Sequence, residues 1–344
     1  MKIGLFTPTL ADGDAVGNDL IGMTQSLIKK GYAAFISAEH SAFRVSAPQS
    51  LWDLGEDDVY IYHHSIYSEI GVEILEKLKC KKIIKYHNIT PPYLFPEFAP
   101  QNQSCKLGIE QTKKIANMSC KILVDSEYNG QDVKAYNPEL EYDVLSPYNQ
   151  VDSLKKSTAN NLLYNDWITN IVMIGRVAPS KNLGLGIRGF AEYKKTNPYS
   201  RLLIIGDDHM SSYVCELRAL ISSLGLGKSA TIVGKVTLEQ LKAYYLIADV
   251  LLIPSLHEGF CVPIVEAMAF NVPVVANRNT AIPFTGGEAI LYFDKQEEIG
   301  ELLKRAILNK QHYAQLGRER FRKNFSNSTI EEKFLAIVDK LLSQ

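Results

Sequence analysis

The sequence has no pair of cysteines two residues apart and only five cysteines in 344 residues, at positions 80, 105, 120, 215 and 261. An odd, scattered set excludes a disulfide or zinc framework built from cysteine and reads as the reduced thiols of a cytosolic protein. Neither sign of charge is in excess: 37 Lys and Arg face 38 Asp and Glu, for a net charge of −1 and a pI near 6.7. That balance gives no global attraction to nucleic acid. No apolar run approaches the roughly 18 residues of a membrane span. Lys2-Ile3-Gly4-Leu5-Phe6 already reads as a strand, which leaves no room for a secretory leader. The glycosylation triplets at Asn88, Asn102, Asn117 and Asn327 are then chance matches.

What is present is alternation. The length fits two domains, each able to bury a sizeable core, and short apolar runs alternate with helical patterns, as parallel βαβ units require. In the first half, strands are expected near Ile3 to Pro8, Val59 to His63, Lys82 to His87, Lys121 to Asp125 and Tyr142 to Ser146. A second series begins near Ile171 and continues at Leu202, Thr231, Val250, Val272 and Ala289. The Ser-, Asn- and Lys-rich stretch between them has no sustained period. The expected division is therefore 1–150 as an N-terminal α/β domain, 151–167 as a linker, 168–326 as a C-terminal α/β domain and 327–344 as a last helix.

The most informative stretch runs from Ser255 to Met268 and carries Glu258 and Glu266 with seven residues between them. Val250 to Ile253 precedes it as a buried strand. Pro263 suits the first helical position, and Asn271 with Pro273 marks the helix stop. Glu258 is thus placed in a loop over the helix mouth, and Glu266 in the helix, about 5 Å along its axis from Pro263. The mouth, formed by Gly259, Phe260 and Cys261, attracts a pyrophosphate through backbone N–H groups, while the carboxylates accept hydrogen bonds from vicinal hydroxyls. Such a site suits a nucleotide-sugar, with a sugar on one acid and a ribose on the other. A second signal is Gly175-Arg176 at a strand end followed by Lys181, two cations able to balance a diphosphate leaving group. Ser180 between them is the expected cap of the next helix.

These motifs resemble those of the large GT-B family of retaining glycosyltransferases called family 4, or glycosyl transferases group 1. The hallmark there is a glutamate, seven residues and a second glutamate, with Glu-Gly-Phe and Glu-Ala-Met around them, as at Glu258 and Glu266 here. The resemblance is specific from Ile171 to about Ala276 and loose before Asn149. It implies an α/β fold of two facing Rossmann-like domains with a deep cleft between them, the donor on the C-terminal domain and the acceptor on the N-terminal one. It also implies that Arg176 and Lys181 bind the donor phosphates, that Val236 contacts the base, and that the last helix crosses back to the first domain. The glycine loop from Ala11 to Asn18 would meet donor or acceptor through Gly17. His87 at its strand end would lie near the donor sugar, with His63 and His64 as weaker candidates. Phe284 stands where the family usually has a glutamate, a departure from its pattern.

Other readings compete. Gly184 to Gly189 spells the dinucleotide-binding glycine pattern, but Gly184 comes ten residues after Ile174 instead of directly after the strand, so those glycines are assigned to close helix packing. A nucleotide-sugar epimerase or a glycogen-type phosphorylase shares the two-domain architecture, although no lysine identifies itself as a pyridoxal phosphate carrier. Lys77, Lys79, Lys81, Lys82 and Lys85 read either as a solvated face or as a surface for anionic headgroups. The expectation is a cytoplasmic hexosyltransferase, peripheral to the inner membrane if that surface is used. Its candidate catalytic residues are His87, Arg176, Lys181 and Glu258. The donor is UDP-glucose or, next, GDP-mannose, and the acceptor a glycan or lipid-linked glycan. No cofactor or divalent metal is expected, even though Asp12-Gly13-Asp14 spells an Asp-x-Asp pattern.

Overall fold

The computed structural model describes residues 1–11, 13–159 and 167–343. Asp12 and most of the second half of the expected linker therefore lie outside the described residues. The chain forms two compact units, one made of Met1–Asn149 with Asn324–Gln344 and the other of Gln150–Lys323.

The first unit is built on six parallel strands: β1 (Lys2–Leu10), β2 (Ala33–Ser41), β3 (Val59–His64), β4 (Lys81–Tyr86), β5 (Lys121–Val124) and β6 (Tyr142–Val144). They are ordered β2-β1-β3-β4-β5-β6. Side chains alternate across this sheet. Ile3, Leu5, Ile61, Ile83 and Leu123 pack on one face with Leu20, Met23 and Leu27 of the helix Ala15–Lys30 and with Ile330, Phe334 and Val338 of the helix Asn327–Leu342. Phe6, Tyr60, Tyr62, Ile84 and Val124 pack on the other with Val72, Leu75 and Cys105. The strand β2 is absent from the expectations above. It is an edge strand with only Ala38 and Ser37 among its central residues fully buried, so it carries little apolar signal.

The second unit repeats the scheme with β7 (Thr169–Ile174), β8 (Ser200–Ile205), β9 (Ala230–Gly234), β10 (Val250–Ile253), β11 (Val274–Asn277) and β12 (Leu291–Phe293), ordered β12-β11-β10-β7-β8-β9. Every pairing in both sheets is parallel. In each sheet the strand order reverses once, at β1/β3 and at β7/β10. In open parallel sheets that switch, at the carboxyl ends of the strands, is where ligands bind.

Three local expectations are corrected. The stretch expected as linker opens on a helix, Val151–Lys156, whose Val151 and Leu154 are buried. The helix after β1 begins at Ala15, so Gly17 lies in its first turn and not in the loop. Ser180 caps no helix: it sits in the short 3-10 turn Pro179–Lys181, and the helix Leu183–Thr196 begins from Asn182 in the left-handed conformation, φ 48°. The dinucleotide-type glycines fall inside that helix. A methyl on Gly186 would lie 2.5 Å from Met173 Sδ and one on Gly189 2.5 Å from Ile299 Cγ2, so two of the three do serve close packing. No helix among the described residues is long and apolar enough to cross a membrane.

Candidate functional site

The site in the second unit forms where β7 and β10 end. Past β7, Gly175 takes φ 145° and its N–H donates to Ile205 O, while Val177 N–H donates to Asp207 O. The facing Gly206 has φ 147°, and a methyl there would lie 2.0 Å from Gly175 O. Only glycine permits so close a backbone approach. This packing turns the chain so that exposed Arg176 and half-buried Lys181 both stand over the strand ends. Past β10, Leu256 N–H donates to Ser180 O at 2.8 Å and ties the two loops together. Gly175, Arg176 and Lys181 share the walls of one small cavity with Pro254 and Ser255.

Glu258 lies at the centre. Its Oε1 accepts from Lys181 Nζ at 2.7 Å and from Ser255 Oγ at 2.7 Å. Its own N–H donates to Thr280 Oγ1 at 2.9 Å. The two residues expected to touch sugar and phosphate thus already hold each other. The following mouth is set by Cys261, buried and left-handed at φ 76°, from which the helix Val262–Ala269 starts with Pro263 as its second residue. Burial, with the charge of Glu258 beside it, pushes the Cys261 thiol well up. Burial holds His257 down to about 4 against the opposing pull of Glu258, so its ring is neutral near pH 7. Phe260 is buried, and its carbonyl accepts from Thr285 Oγ1.

Glu266 is 2% exposed on the inner face of that helix. Its Oε1 accepts from Gln150 Nε2 at 3.0 Å and its Oε2 from Tyr245 OH at 2.6 Å. Burial raises its carboxyl above the usual range even though both bonds pull it down. Each oxygen keeps a lone pair for a further donor. Ser255, Thr280, Tyr245 and Gln150 were not singled out from sequence. Ser255 stands in the same motif and was within reach of that reading, but the other three arrive by tertiary packing alone. Val236 is half-buried two residues past β9, just before the capped helix Leu238–Ile247.

In the first unit, the N–H of Gly17 donates to the Asp14 side chain that caps its helix. His87 follows β4 and is only 8% exposed. Its Nε2 bonds His63 Nδ1 at 2.9 Å and its Nδ1 bonds Asp125 Oδ2 at 2.8 Å, so both ring nitrogens are engaged inside the unit. His64 turns to the opposite face, between Tyr62 OH and Thr112 Oγ1, and burial presses it down to about 3. One member of the lysine cluster leaves the surface, while Lys77 and Lys79 are exposed. Lys85 is fully buried, paired with Asp125 at 2.8 Å and donating to Leu145 O. Lys81 donates to the carbonyls of Leu341 and Leu342, and Lys77 pairs with Glu73.

Known proteins resemble the chain in sequence and in fold. The family model described as glycosyl transferases group 1 matches residues 164–323. The alpha-monoglucosyldiacylglycerol synthase of Acholeplasma laidlawii is 25% identical over 323 residues, covering 83% of this chain and 76% of that one. The O-antigen chain mannosyltransferase RfbU of Salmonella typhimurium is 26% identical over 230 residues, covering 63% of this chain and 61% of its own length. Among solved structures, a sucrose-phosphate synthase from Thermosynechococcus elongatus aligns with a TM-score of 0.78 at 16% identity, over 99% of both chains. HepE of Anabaena, solved with UDP-glucose, aligns at 0.77 and 15% identity, over 99% of this chain and all of that one. The structural likenesses bear on the fold.

Proposed function

Because the chain belongs to the glycosyl transferases group 1, we propose that it moves a hexose from a nucleoside diphosphate donor to an acceptor hydroxyl with retention of anomeric configuration. It is a glycosyltransferase of GT-B type. The observation that carries the finer reading is the Lys181–Glu258 contact at the β7/β10 switch, with Glu266 one helix turn beyond the mouth.

In this reading the diphosphate lies against Gly175, Arg176 and Lys181 and against the mouth formed by Gly259, Phe260 and Cys261. Glu258 takes sugar hydroxyls, Glu266 takes the ribose, and Val236 lies beside the base. The bond from the anomeric carbon to the bridging diphosphate oxygen breaks as the acceptor oxygen bonds the same face of the sugar, that oxygen leaves with the nucleoside diphosphate, and the acceptor proton passes to the departing diphosphate. Arg176 and Lys181 stabilise the charge that develops there, a preorganised electrostatic role. They supply the positive field without a divalent metal on the diphosphate. With both nitrogens of His87 engaged, it acts as a positioning residue. Gly17 serves through its backbone in the first turn of its helix.

UDP-glucose is the proposed donor and GDP-mannose the next. The names of the Acholeplasma and Salmonella relatives, a glucosyl-diacylglycerol synthase and an O-antigen chain mannosyltransferase, support a glycolipid or glycan acceptor. A cytoplasmic location at the inner face of the membrane accords with such an acceptor. The test is a panel of nucleotide-sugars scored for thermal stabilisation of the full chain and for nucleoside diphosphate release with glycolipid and glycan acceptors. Stabilisation and release with one donor, yielding an α-linked product from an α-linked donor, are expected. Conversion of the nucleotide-sugar without acceptor, or a product of inverted configuration, would overturn the reading.

A further inference from the structure

The first unit holds a buried cluster of which the proposed transfer uses only His87. By strand alternation, Ile61 and His63 of β3, Ile83 and Lys85 of β4, His87 beyond it, and Leu123 and Asp125 at the end of β5 all face the helix Ala15–Lys30. Asp19 projects from that helix at the β1/β3 switch, and it is fully buried. Its Oδ1 accepts from Tyr148 N–H at 2.8 Å, whereas its Oδ2 has no hydrogen-bond partner. That oxygen stands 3.8 Å from His63 Nδ1 and 3.8 Å from His87 Nε2, which are 2.9 Å from each other.

We propose that Asp19 Oδ2, His63 Nδ1 and His87 Nε2 are the ligands of a divalent transition-metal ion of the zinc class. A triangle with sides of 3.8, 3.8 and 2.9 Å has its centre about 2.1 Å from each corner. Zinc keeps roughly 2.0–2.2 Å to imidazole nitrogen and carboxylate oxygen. One carboxylate and two imidazoles favour zinc, cobalt or nickel over magnesium or calcium, which prefer oxygen alone. The surroundings are those of a metal-bound histidine: His87 turns its other nitrogen to the Asp125 carboxylate, and Lys85 holds that carboxylate from its far side. A partner of this kind fixes the tautomer and raises the basicity of the ligating nitrogen. The charges of Asp19, Asp125 and Lys85 sum to −1, an excess that a cation offsets. An ion here would fasten the helix Ala15–Lys30 to the ends of β3 and β4 and fix the orientation of His87. Of the three ligands only His87 has a part in the proposed transfer, as a positioning residue, and the donor-binding residues Arg176, Lys181 and Glu258 belong to the other unit.

The test uses the full chain, stripped with a chelator and titrated at pH 7.5 with Zn²⁺, followed by thermal unfolding, and with Co²⁺, followed by visible absorption. One ion per chain, a rise in Tm with Zn²⁺ and ligand-field bands with Co²⁺ are expected. Asp19→Asn and His63→Gln should abolish the stoichiometric ion, and Asp125→Asn should weaken affinity about 10- to 100-fold. If the ligand variants do not fold, the Co²⁺ spectrum of the parent and the Asp125→Asn affinity decide. A stripped chain that responds to neither ion would overturn the proposal and leave a proton shared between His63 and His87 as the occupant. Undiminished binding by soluble Asp19→Asn and His63→Gln would overturn it too, placing the ion elsewhere.

Discussion

Substituting Glu266 separates two effects that its environment sets against each other. The carboxylate takes two donors, from Gln150 and Tyr245, yet burial still raises its pKa above the usual range. An acid whose folded pKa is raised favours its neutral form in the fold, so the ionised group lowers stability once the pH exceeds the folded pKa. Glu266→Gln removes that charge and keeps the volume. It turns an amide NH₂ toward one of the two donors, a loss of about 1 kcal/mol for one hydrogen bond. The two terms oppose, and a net change within about 1 kcal/mol is expected. Glu266→Ala removes the acceptor outright. Tyr245, 1% exposed, is left with an unpaired hydroxyl at about 1–3 kcal/mol, and a buried methylene adds about 0.8 kcal/mol. A loss of roughly 2–4 kcal/mol lowers Tm by about 5–15 °C for a unit of this size. Both variants lose affinity for the free nucleoside diphosphate. The alanine loses it roughly ten- to hundredfold, as expected for a charged hydrogen bond worth about 1.5–3 kcal/mol, and the glutamine loses less. Thermal unfolding at pH 7 and calorimetric titration with UDP and GDP measure both quantities. Equal destabilisation by the two substitutions would refute the dominance of burial, and parental nucleotide affinity in both would refute the ribose assignment.

Lys181→Ala should lower turnover by roughly ten- to a thousandfold, the range for one preorganised charge-stabilising donor. Circular dichroism should show an intact fold, and parental turnover would return Lys181 to a purely structural pairing with Glu258. After exhaustive EDTA treatment and restoration of zinc, transfer should run at its original rate without Mg²⁺ or Mn²⁺. A rate recovered only with Mg²⁺ or Mn²⁺, and lost again in Asp14→Ala, would place the donor phosphates on the N-terminal loop. His257, held down to about 4 from an ordinary 6.5, binds its proton in the unfolded chain before it does so in the fold. Stability therefore falls as pH drops from about 6.5 to 4, by up to about 3 kcal/mol from this residue. His257→Gln should flatten that part of the urea-unfolding profile, and profiles that stay parallel would show that the ring is not held neutral.

The second unit was legible because its site is assembled from strand ends and the turns that follow them directly. Gly175, Arg176, Lys181 and Glu258 each sit within a few residues of a buried apolar run, so periodicity alone carried them to one edge of the sheet. The partners of Glu266 were not legible. Gln150 precedes the helix Val151–Lys156 and Tyr245 lies on Leu238–Ile247, helices whose packing is decided by apolar contacts elsewhere along them, and neither residue type announces an acceptor. Ser180 was misread as a cap because serine is a common one, whereas Asn182, able to take the left-handed conformation, starts that helix. The buried cluster of the first unit was half legible. His63 and His87 stood out at strand ends, but Lys85 was grouped with surface lysines and Asp125 marked only a strand end, and the rotation of the helix bearing Asp19 about its own axis was not available from spacing. β2 was missed because an edge strand needs few apolar residues to be held.

The packing of Asn327–Leu342 bears on how the chain acquires its structure during synthesis. Ile330, Phe334 and Val338 complete the same core as Leu5 and Leu20, so segments made far apart in time share one interior. Residues 150–323 gather contacts within themselves and can condense as soon as they emerge. The N-terminal sheet must wait, with one flank uncovered, until Asn327–Leu342 has been made. Its closing contacts span more than 300 positions, the long loop closure that slows folding and prolongs exposure of apolar surface. A stalled or truncated chain would therefore display a finished C-terminal unit beside an open N-terminal core, and chaperones or proteases would meet that open face first.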